Sequence, residues 1–337
     1  MDDFVGRVAR AAGVPENLVG VLGLILAGLA VGSVVRTVRL SRAGAGPEEW
    51  RARTGSLAVW WVLFALLAAV VLAGKGAAAV LFAAVGLLGL LEFRDVERAK
   101  DPVMRHWWLT YLAVPAHYLI VYFGWDGGFW AFVPAWVLFI LVVRLVASGE
   151  PAGFLETAGV AFLGLMLTVL LPSHAVRIFA LPPGLNPGAG PVGLFVYLLV
   201  LTEVNDIAQA LWGRRFGRRK ITPRVSPGKT WEGFLLGATT TVVLALLLAP
   251  LLTPFAAGPA RLGTAGWDVP YLPALAAGLL IAVGGFLGDI TMSTIKREVG
   301  VKDSGTLLPG QGGVLDRLDS LTFTAPLFYY FTRLLYG

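Results

Sequence analysis

The chain of 337 residues is 57% hydrophobic and 14% charged, well below the roughly one-quarter charged that a soluble domain carries. Its 27 basic residues against 21 acidic ones give a net charge of +6, and cysteine is absent, so there is no disulfide framework, zinc–thiolate site or thiol nucleophile. A soluble enzyme is excluded, and because no basic helix or aromatic-interleaved soluble module is present, the positive charge does not point to nucleic acid.

Apolar runs long enough to cross a hydrocarbon core of about 30 Å, which takes about 20 helical residues, recur along the whole chain. Ten are read, at approximately 18–35, 56–74, 77–92, 107–123, 128–148, 155–172, 192–212, 233–253, 271–288 and 320–336. None shows the alternating ten-residue period of a membrane barrel. A bilayer admits only helices or closed barrels, so the expected fold is an all-α, polytopic integral membrane protein of about ten transmembrane helices. The first run is expected to be a retained helix rather than a signal peptide, since Asp2, Asp3 and Glu16 precede it and no small-residue cleavage site separates Val35 from Arg36.

With ten spans the loops alternate between two sides, and 21 of the 27 Lys and Arg residues fall on one of them. The positive-inside rule makes that side cytosolic and puts both termini outside. Part of the net charge therefore reflects topology and attraction to anionic headgroups.

Residues 1–172 hold few polar groups within their spans and read as transmembrane scaffold. Residues 173–191, SHAVRIFALPPGLNPGAGP, read as an external loop rich in proline and glycine. From 192 to 337 acids enter the helices and two long basic loops appear, 213–232 and 289–319, on the cytosolic side. Chemistry is expected there. No internal repeat and no inverted pair of broken helices is visible, which disfavours a transporter.

In the seventh run Glu203, Asp206 and Gln209 are three apart and share a helix face. Ionisable groups at this depth cost about 2.5–3.5 kcal/mol on insertion scales and usually face a polar interior. The following loop contains SPGKT, Ser226–Thr230. A phosphate-binding P-loop needs a glycine where Pro223 stands, and no strand is apparent to carry it. That motif is rejected, although Lys229 remains suited to phosphate as a point charge.

The ninth run ends in GGFLGD, where Gly284, Gly285 and Gly288 permit close helix packing and Asp289 reaches the cytosolic exit. The next stretch, residues 293–320, holds five glycines, four acids and four bases. If the helix continues, Asp289, Ser293 and Lys296 or Arg297 lie on one stripe. Pro309, Gly310, Gly312 and Gly313 then break it, and Asp316 and Asp319 follow at the start of the last helix. Two carboxylates on one face, with Asp289 as a third, suit Mg²⁺, which prefers oxygen ligands and is usually bound together with substrate phosphates. Taken alone, the pair Asp316 and Asp319 reads better as helix-dipole compensation with Arg317 as a surface partner. Acids on three helix ends with several bases on one membrane face are the equipment of phosphoryl or nucleotidyl transfer. His106, His117 and His174 lie away from the acids and read as structural. No GxSxG or HExxH motif supports a hydrolase.

These residues resemble the phosphatidate cytidylyltransferases, or CDP-diacylglycerol synthases. Ser293, Lys296, Arg297, Lys302, Asp303, Pro309, Gly312, Gly313, Asp316, Arg317 and Asp319 match the long signature of that family in type and spacing. Ser226, Pro227, Lys229, Thr230, Trp231, Glu232 and Gly233 look like its second conserved loop, so the resemblance is read over roughly 195–337. The chain departs from the pattern at Gln311, where the signature has His, and at Gln209, where an aromatic is common.

The resemblance implies transfer of a cytidylyl group from CTP to a membrane lipid phosphate, phosphatidic acid, at a cytosolic site in a bacterial inner membrane. Asp289, Asp316 and Asp319 would bind Mg²⁺, with a second cation and Asp206 nearby. Lys229, Lys296, Arg297, Lys302 and Arg317 would bind phosphates, and Asp303 would join the catalytic set. Ser226, Thr230, Glu232 and Ser293 would contact substrate, together with the turn Gly310, Gln311, Gly312 and Gly313, whose backbone N–H groups would face phosphate. The small-residue helix faces and the resemblance imply a homodimer. Other readings are a CTP-dependent transferase or kinase acting on a polyprenyl or other lipid, or a non-catalytic lipid-binding or scrambling protein.

Overall fold

The computed structural model describes residues 2–42, 44, 46–97, 107–149, 152–257, 269–309 and 311–336. His106 and Gly310 lie outside the described residues. In chain order the helices begin with α1 (Asp2–Ala12), α2 (Glu16–Arg42), α3 (Pro47–Ala73), α4 (Lys75–Glu97) and α5 (Trp107–Phe123). Next come α6 (Asp126–Ala131) and α7 (Leu138–Ala147), joined through a π-turn at Phe132–Val137, and α8 (Phe154–Leu165) and α9 (Leu171–Arg177), joined through another at Met166–Leu170. The C-terminal part comprises α10 (Gly190–Phe216), a hairpin of β1 (Lys220–Thr222) and β2 (Ser226–Thr230), then α11 (Trp231–Leu252), α12 (Leu272–Glu298) and α13 (Leu315–Tyr336).

Each of the ten predicted spans coincides with a helix or with two helices run together, and eight such stretches are long and apolar enough to cross a membrane. Of the remaining two, α5 is shorter and α13 opens with a polar turn. The π-turns have local causes. Pro134 within the first removes a backbone donor, and Pro172 just after the second leaves the Thr168 carbonyl without its usual helical partner.

Two local expectations change. The predicted loop 173–191 is helical through Arg177, and residues 172–178 are all buried, so His174 is a packed helical residue and not a loop residue. SPGKT does carry a strand, because it forms β2 itself, antiparallel to β1 with Thr222 opposite Ser226 and Lys220 opposite Thr230. An extended strand cannot wrap a phosphate, so the rejection of a P-loop stands.

The first half of α10 is apolar all round, and Leu194 to Leu198 are fully buried, as befits the axial helix of a bundle. Around it, α11, α12 and α13 pack through small residues. A Cβ built at Gly278 of α12 would lie 2.9 Å from Ala245 of α11, and one at Gly284 would lie 2.9 Å from Leu327 of α13. At Gly288 the backbone of α13 is closer still, with the Asp319 carbonyl in the space a Cβ would take. The predicted tight packing at Gly284, Gly285 and Gly288 is therefore present, and it brings Asp289 beside Asp319.

From the N-terminal half, α4 reaches the same bundle. A Cβ on Gly86 would sit 2.9 Å from the Thr168 carbonyl in the second π-turn, and one on Gly89 would sit 3.1 Å from Leu318 of α13. One helical turn further along the same face is Glu92.

Candidate active site

Two adjoining groups of polar side chains occupy the ends of α10, α12 and α13 that meet the hairpin. The first is acidic. Asp206 of α10, Asp289 of α12 and Asp319 of α13 are near enough to repel one another, and Lys229 of β2 attracts all three. Lys229 forms an ion pair with Asp289, and the Ser293 hydroxyl donates to Asp289 Oδ1 at 3.2 Å. Burial alone would lower the Lys229 ammonium, but Asp289 outweighs it, with help from Asp206 and Asp319, and holds the group above the ordinary lysine value. Lys229 is thus fully charged at neutral pH. Asp206 Oδ1 is buried with no hydrogen-bond partner among the described residues, a condition that in native proteins usually marks a ligand, ion or water position. Glu203, on the same helix face, feels the charge of Arg317.

The second group is the signature turn. Asp316 Oδ1 accepts from the Lys296 ammonium at 2.6 Å, and Oδ2 accepts from the N–H groups of Gly313 at 2.9 Å and Ser304 at 3.2 Å. Gly312 adopts φ +84°, in the left-handed region that favours glycine, and a Cβ there would fall on Asp316 Oδ2. The N–H groups of Val314 and Leu315 donate to Glu92 at 2.9 and 2.8 Å. The donors of Gly313, Val314 and Leu315 thus face two carboxylates of the protein, and within the turn expected to face phosphate the Gly313 N–H is taken by Asp316 and the Gln311 N–H by the Leu308 carbonyl at 2.9 Å. The close approach these glycines permit is used by Asp316 and Glu92.

The other expected site residues divide by what they touch. Arg297 is a strut, donating to the Val225 carbonyl of the hairpin at 3.1 Å and to Val301 at 3.0 Å. Thr230 caps α11 by accepting from the Gly233 N–H at 3.1 Å. Glu232 accepts from the N–H groups of Arg218 at 2.9 Å and Arg219 at 3.1 Å. These three fix the hairpin and thereby aim Lys229. Ser226 is half-buried on β2, Lys302 and Asp303 are exposed, and Arg317 Nε is buried without a partner among the described residues. Gln311 donates to the Ser56 carbonyl at 2.9 Å and the Ser56 hydroxyl at 3.2 Å.

The carboxylates supply only oxygen donors, and the Lys229 ammonium sits among them as a cation would, so the set suits a hard divalent ion. As arranged, with Lys229 and Lys296 paired to two of the aspartates, no three acidic or histidine side chains among the described residues converge closely enough to hold a metal.

The model of the cytidylyltransferase family matches residues 55–335. The chain belongs to that family. Among curated proteins, it is 42% identical over 295 residues, 88% of this chain and 90% of the relative, to the uncharacterized protein YnbB of Escherichia coli (strain K12). It is 32% identical over 265 residues, 74% of this chain and 87% of the relative, to a phosphatidate cytidylyltransferase of Haemophilus influenzae. A phosphatidate cytidylyltransferase of Brucella suis biovar 1 is 42% identical over 154 residues, 45% of this chain and 52% of the relative. Membership identifies a membrane-embedded transferase of the nucleotidyl class. It also corrects the expected extent of the resemblance, because the family match begins at residue 55 and not near 195. The cytidylyltransferase region therefore takes in Ser56 and Glu92, two contacts to the signature turn that the sequence reading missed.

Proposed function

We propose that this family member transfers the cytidylyl group of CTP to phosphatidic acid, releasing pyrophosphate and leaving CDP-diacylglycerol in the membrane. The observation that carries the reading is the gathering of Asp206, Asp289 and Asp319 from three helices around Lys229. Relatives named phosphatidate cytidylyltransferase support the choice of acceptor. A bundle does not collect carboxylates for stability, since each buried charge costs more than its Coulomb attraction returns unless it is well paired.

The attacking atom is a phosphate oxygen of the lipid. It bonds to the α-phosphorus of CTP as the bond from that phosphorus to the bridging oxygen of the pyrophosphate breaks. No protein nucleophile is needed, and the protein's work is alignment and charge neutralisation of two polyanions. Lys229 and Lys296, each held beside an aspartate, exchange that partner for phosphate oxygens when the nucleotide arrives, and Lys302 and Arg317 add positive charge at the entrance. Asp289, Asp316 and Asp319, with Asp206, are the residues that would hold Mg²⁺. The ion would supply further neutralisation between the two substrates. Helix ends at the cytosolic face of a bacterial inner membrane suit one soluble substrate and one confined to a leaflet.

The test is pyrophosphate release by the purified full-length protein in detergent with CTP, Mg²⁺ and phosphatidic acid. Turnover dependent on both CTP and phosphatidic acid is expected. Release of CDP instead of pyrophosphate would make it a kinase, and lipid movement without nucleotide turnover would make it a scrambling protein. Gln311 at the signature His position favours one second reading, the same chemistry on a different lipid phosphate, which substitution of the acceptor in this assay detects.

A further inference from the structure

We infer that Glu92, on α4 in the half of the chain that looks like scaffold, is a positioning residue of the transfer site; the inference rests on the cytidylyl-transfer reading. Its carboxylate occupies the N-terminus of α13. Oε1 accepts from the Val314 N–H at 2.9 Å, and Oε2 accepts from the Leu315 N–H at 2.8 Å and from the Ser304 hydroxyl at 3.2 Å. The first N–H groups of a helix have no acceptor within it and favour negative charge. A residue just before the helix usually fills that need. Here the acceptor comes from 222 positions away in the chain.

The arrangement ties Glu92 to Asp316 through one residue. Ser304 gives its hydroxyl to Glu92 and its N–H to Asp316, and Gly313 N–H goes to Asp316 while the next two go to Glu92. Two carboxylates therefore share the donors of a single turn without competing. Two glycines are shaped to Glu92 itself: a Cβ at Gly305 would lie 2.8 Å from Oε1, and one at Gly313 would overlap Oε2. Without Glu92, the freed N–H groups of Val314 and Leu315 have Asp316 as the nearest carboxylate on the turn, and it would be drawn from Lys296. The job of Glu92 is to keep Asp316 and Lys296 together in the geometry from which they engage substrate.

The experiment compares Glu92→Ala, Glu92→Gln and a packing control, Phe93→Leu, whose parent side chain is the buried neighbour on α4. In the full-length protein, kcat and KM for CTP are measured by pyrophosphate release with phosphatidic acid, and backbone amide exchange is followed at residues 313–315. For Glu92→Ala, kcat is expected to fall on the order of 100-fold, the scale of a misplacement of about 1 Å, with KM changed less than about threefold. Glu92→Gln, which keeps one acceptor oxygen, is expected to recover part of that loss, about tenfold. Exchange at Val314 and Leu315 should quicken in the Ala variant and not in Phe93→Leu. Unchanged kcat in Glu92→Ala, or an equal fall in Phe93→Leu at equal loss of thermal stability, overturns the inference. A native protein silent toward CTP defeats the functional reading instead. The exchange data then decide the local claim, and unchanged protection at Val314 and Leu315 in the Ala variant would sink it.

Discussion

Two polar clusters are buried along α13, about 16 Å apart on its axis from Asp319 to Tyr330, and they are built in opposite ways. At the far end the Arg177 guanidinium is 2% exposed and ion-paired with Asp126. Its Nε and Nη1 have no hydrogen-bond acceptor among the described residues, but it lies over the rings of Phe129 at 4.9 Å and Tyr329 at 5.9 Å. His117 Nε2 is 2.9 Å from the Ser173 hydroxyl, which is itself spent on the Leu170 carbonyl at 2.7 Å, so Nε2 carries the proton. His174 Nδ1 faces the Leu170 and Leu171 carbonyls at 3.0 and 3.1 Å, which makes Nδ1 its donor. The Arg177 charge there is balanced by Asp126, and each histidine is held through one ring nitrogen by a hydroxyl or by carbonyls, with His117 Nδ1 left without a partner among the described residues. The acidic cluster instead holds like charges together with one lysine among them, and Asp206 Oδ1 has no partner among the described residues. Balanced charge is the mark of a structural cluster, and an excess of one charge sign is the mark of a site awaiting a ligand.

Substitutions at the two ends should therefore separate activity from stability. Asp319→Asn or Asp289→Asn is expected to cut pyrophosphate release by about 10²–10³-fold, the scale for removing one electrostatic stabiliser, while circular dichroism and detergent elution stay native. Full activity in both variants would erase the distinction between the clusters. At the far end, Asp126→Ala strands the Arg177 charge, and thermal unfolding should show a loss of about 1–3 kcal/mol, with kcat of the folded protein unchanged. A matching fall in kcat would give that end a catalytic role. Thr230→Ala removes the cap of α11 at a cost of about 1 kcal/mol. Because the hairpin aims Lys229, KM for CTP should rise by no more than about tenfold, the effect of about 1.4 kcal/mol. A larger rise would show that Thr230 touches the nucleotide directly.

The hydropathy of the chain made the ten spans legible, because each carries enough apolar length to be recognised without tertiary information. The hairpin was hidden. Its strands are three and five residues long, and Pro227 and Gly228 interrupt any alternating pattern. The acids were legible in type and place from their cost inside a membrane. Their partners were not: that Lys229 meets Asp289 depends on how the hairpin folds back over α12, which no local period encodes. Glu92 left a faint signal. It is the sole charged residue in the run 77–92, and with Gly86 and Gly89 it forms a stripe three residues apart. That spacing puts them on one face, but nothing in the sequence says which of the other helices the face meets. Ser56 left no signal, because its link to Gln311 spans 255 positions.

The smallest expected effect bears on Gln311 and sharpens the contrast between groups that titrate and groups that only hold. Its amide donates to Ser56 across the boundary between α3 and the signature turn, so Gln311→Ala should cost about 1 kcal/mol, the net worth of such a bond, and lower turnover by roughly fivefold. Glutamine exchanges no proton at neutral pH, whereas an unperturbed histidine titrates near 6.5. Gln311→His places a titratable ring where the native side chain is only a tether. A neutral ring can still donate one N–H to Ser56, but the charged ring adds a cation beside the turn. The rate profile of the His variant should therefore gain an inflection at about pH 6.5 that the native protein lacks. If both profiles bend there alike, position 311 does not set the proton dependence. A bend in the variant alone would mean that this turn can be converted from a tether into a proton-responsive element by one side chain.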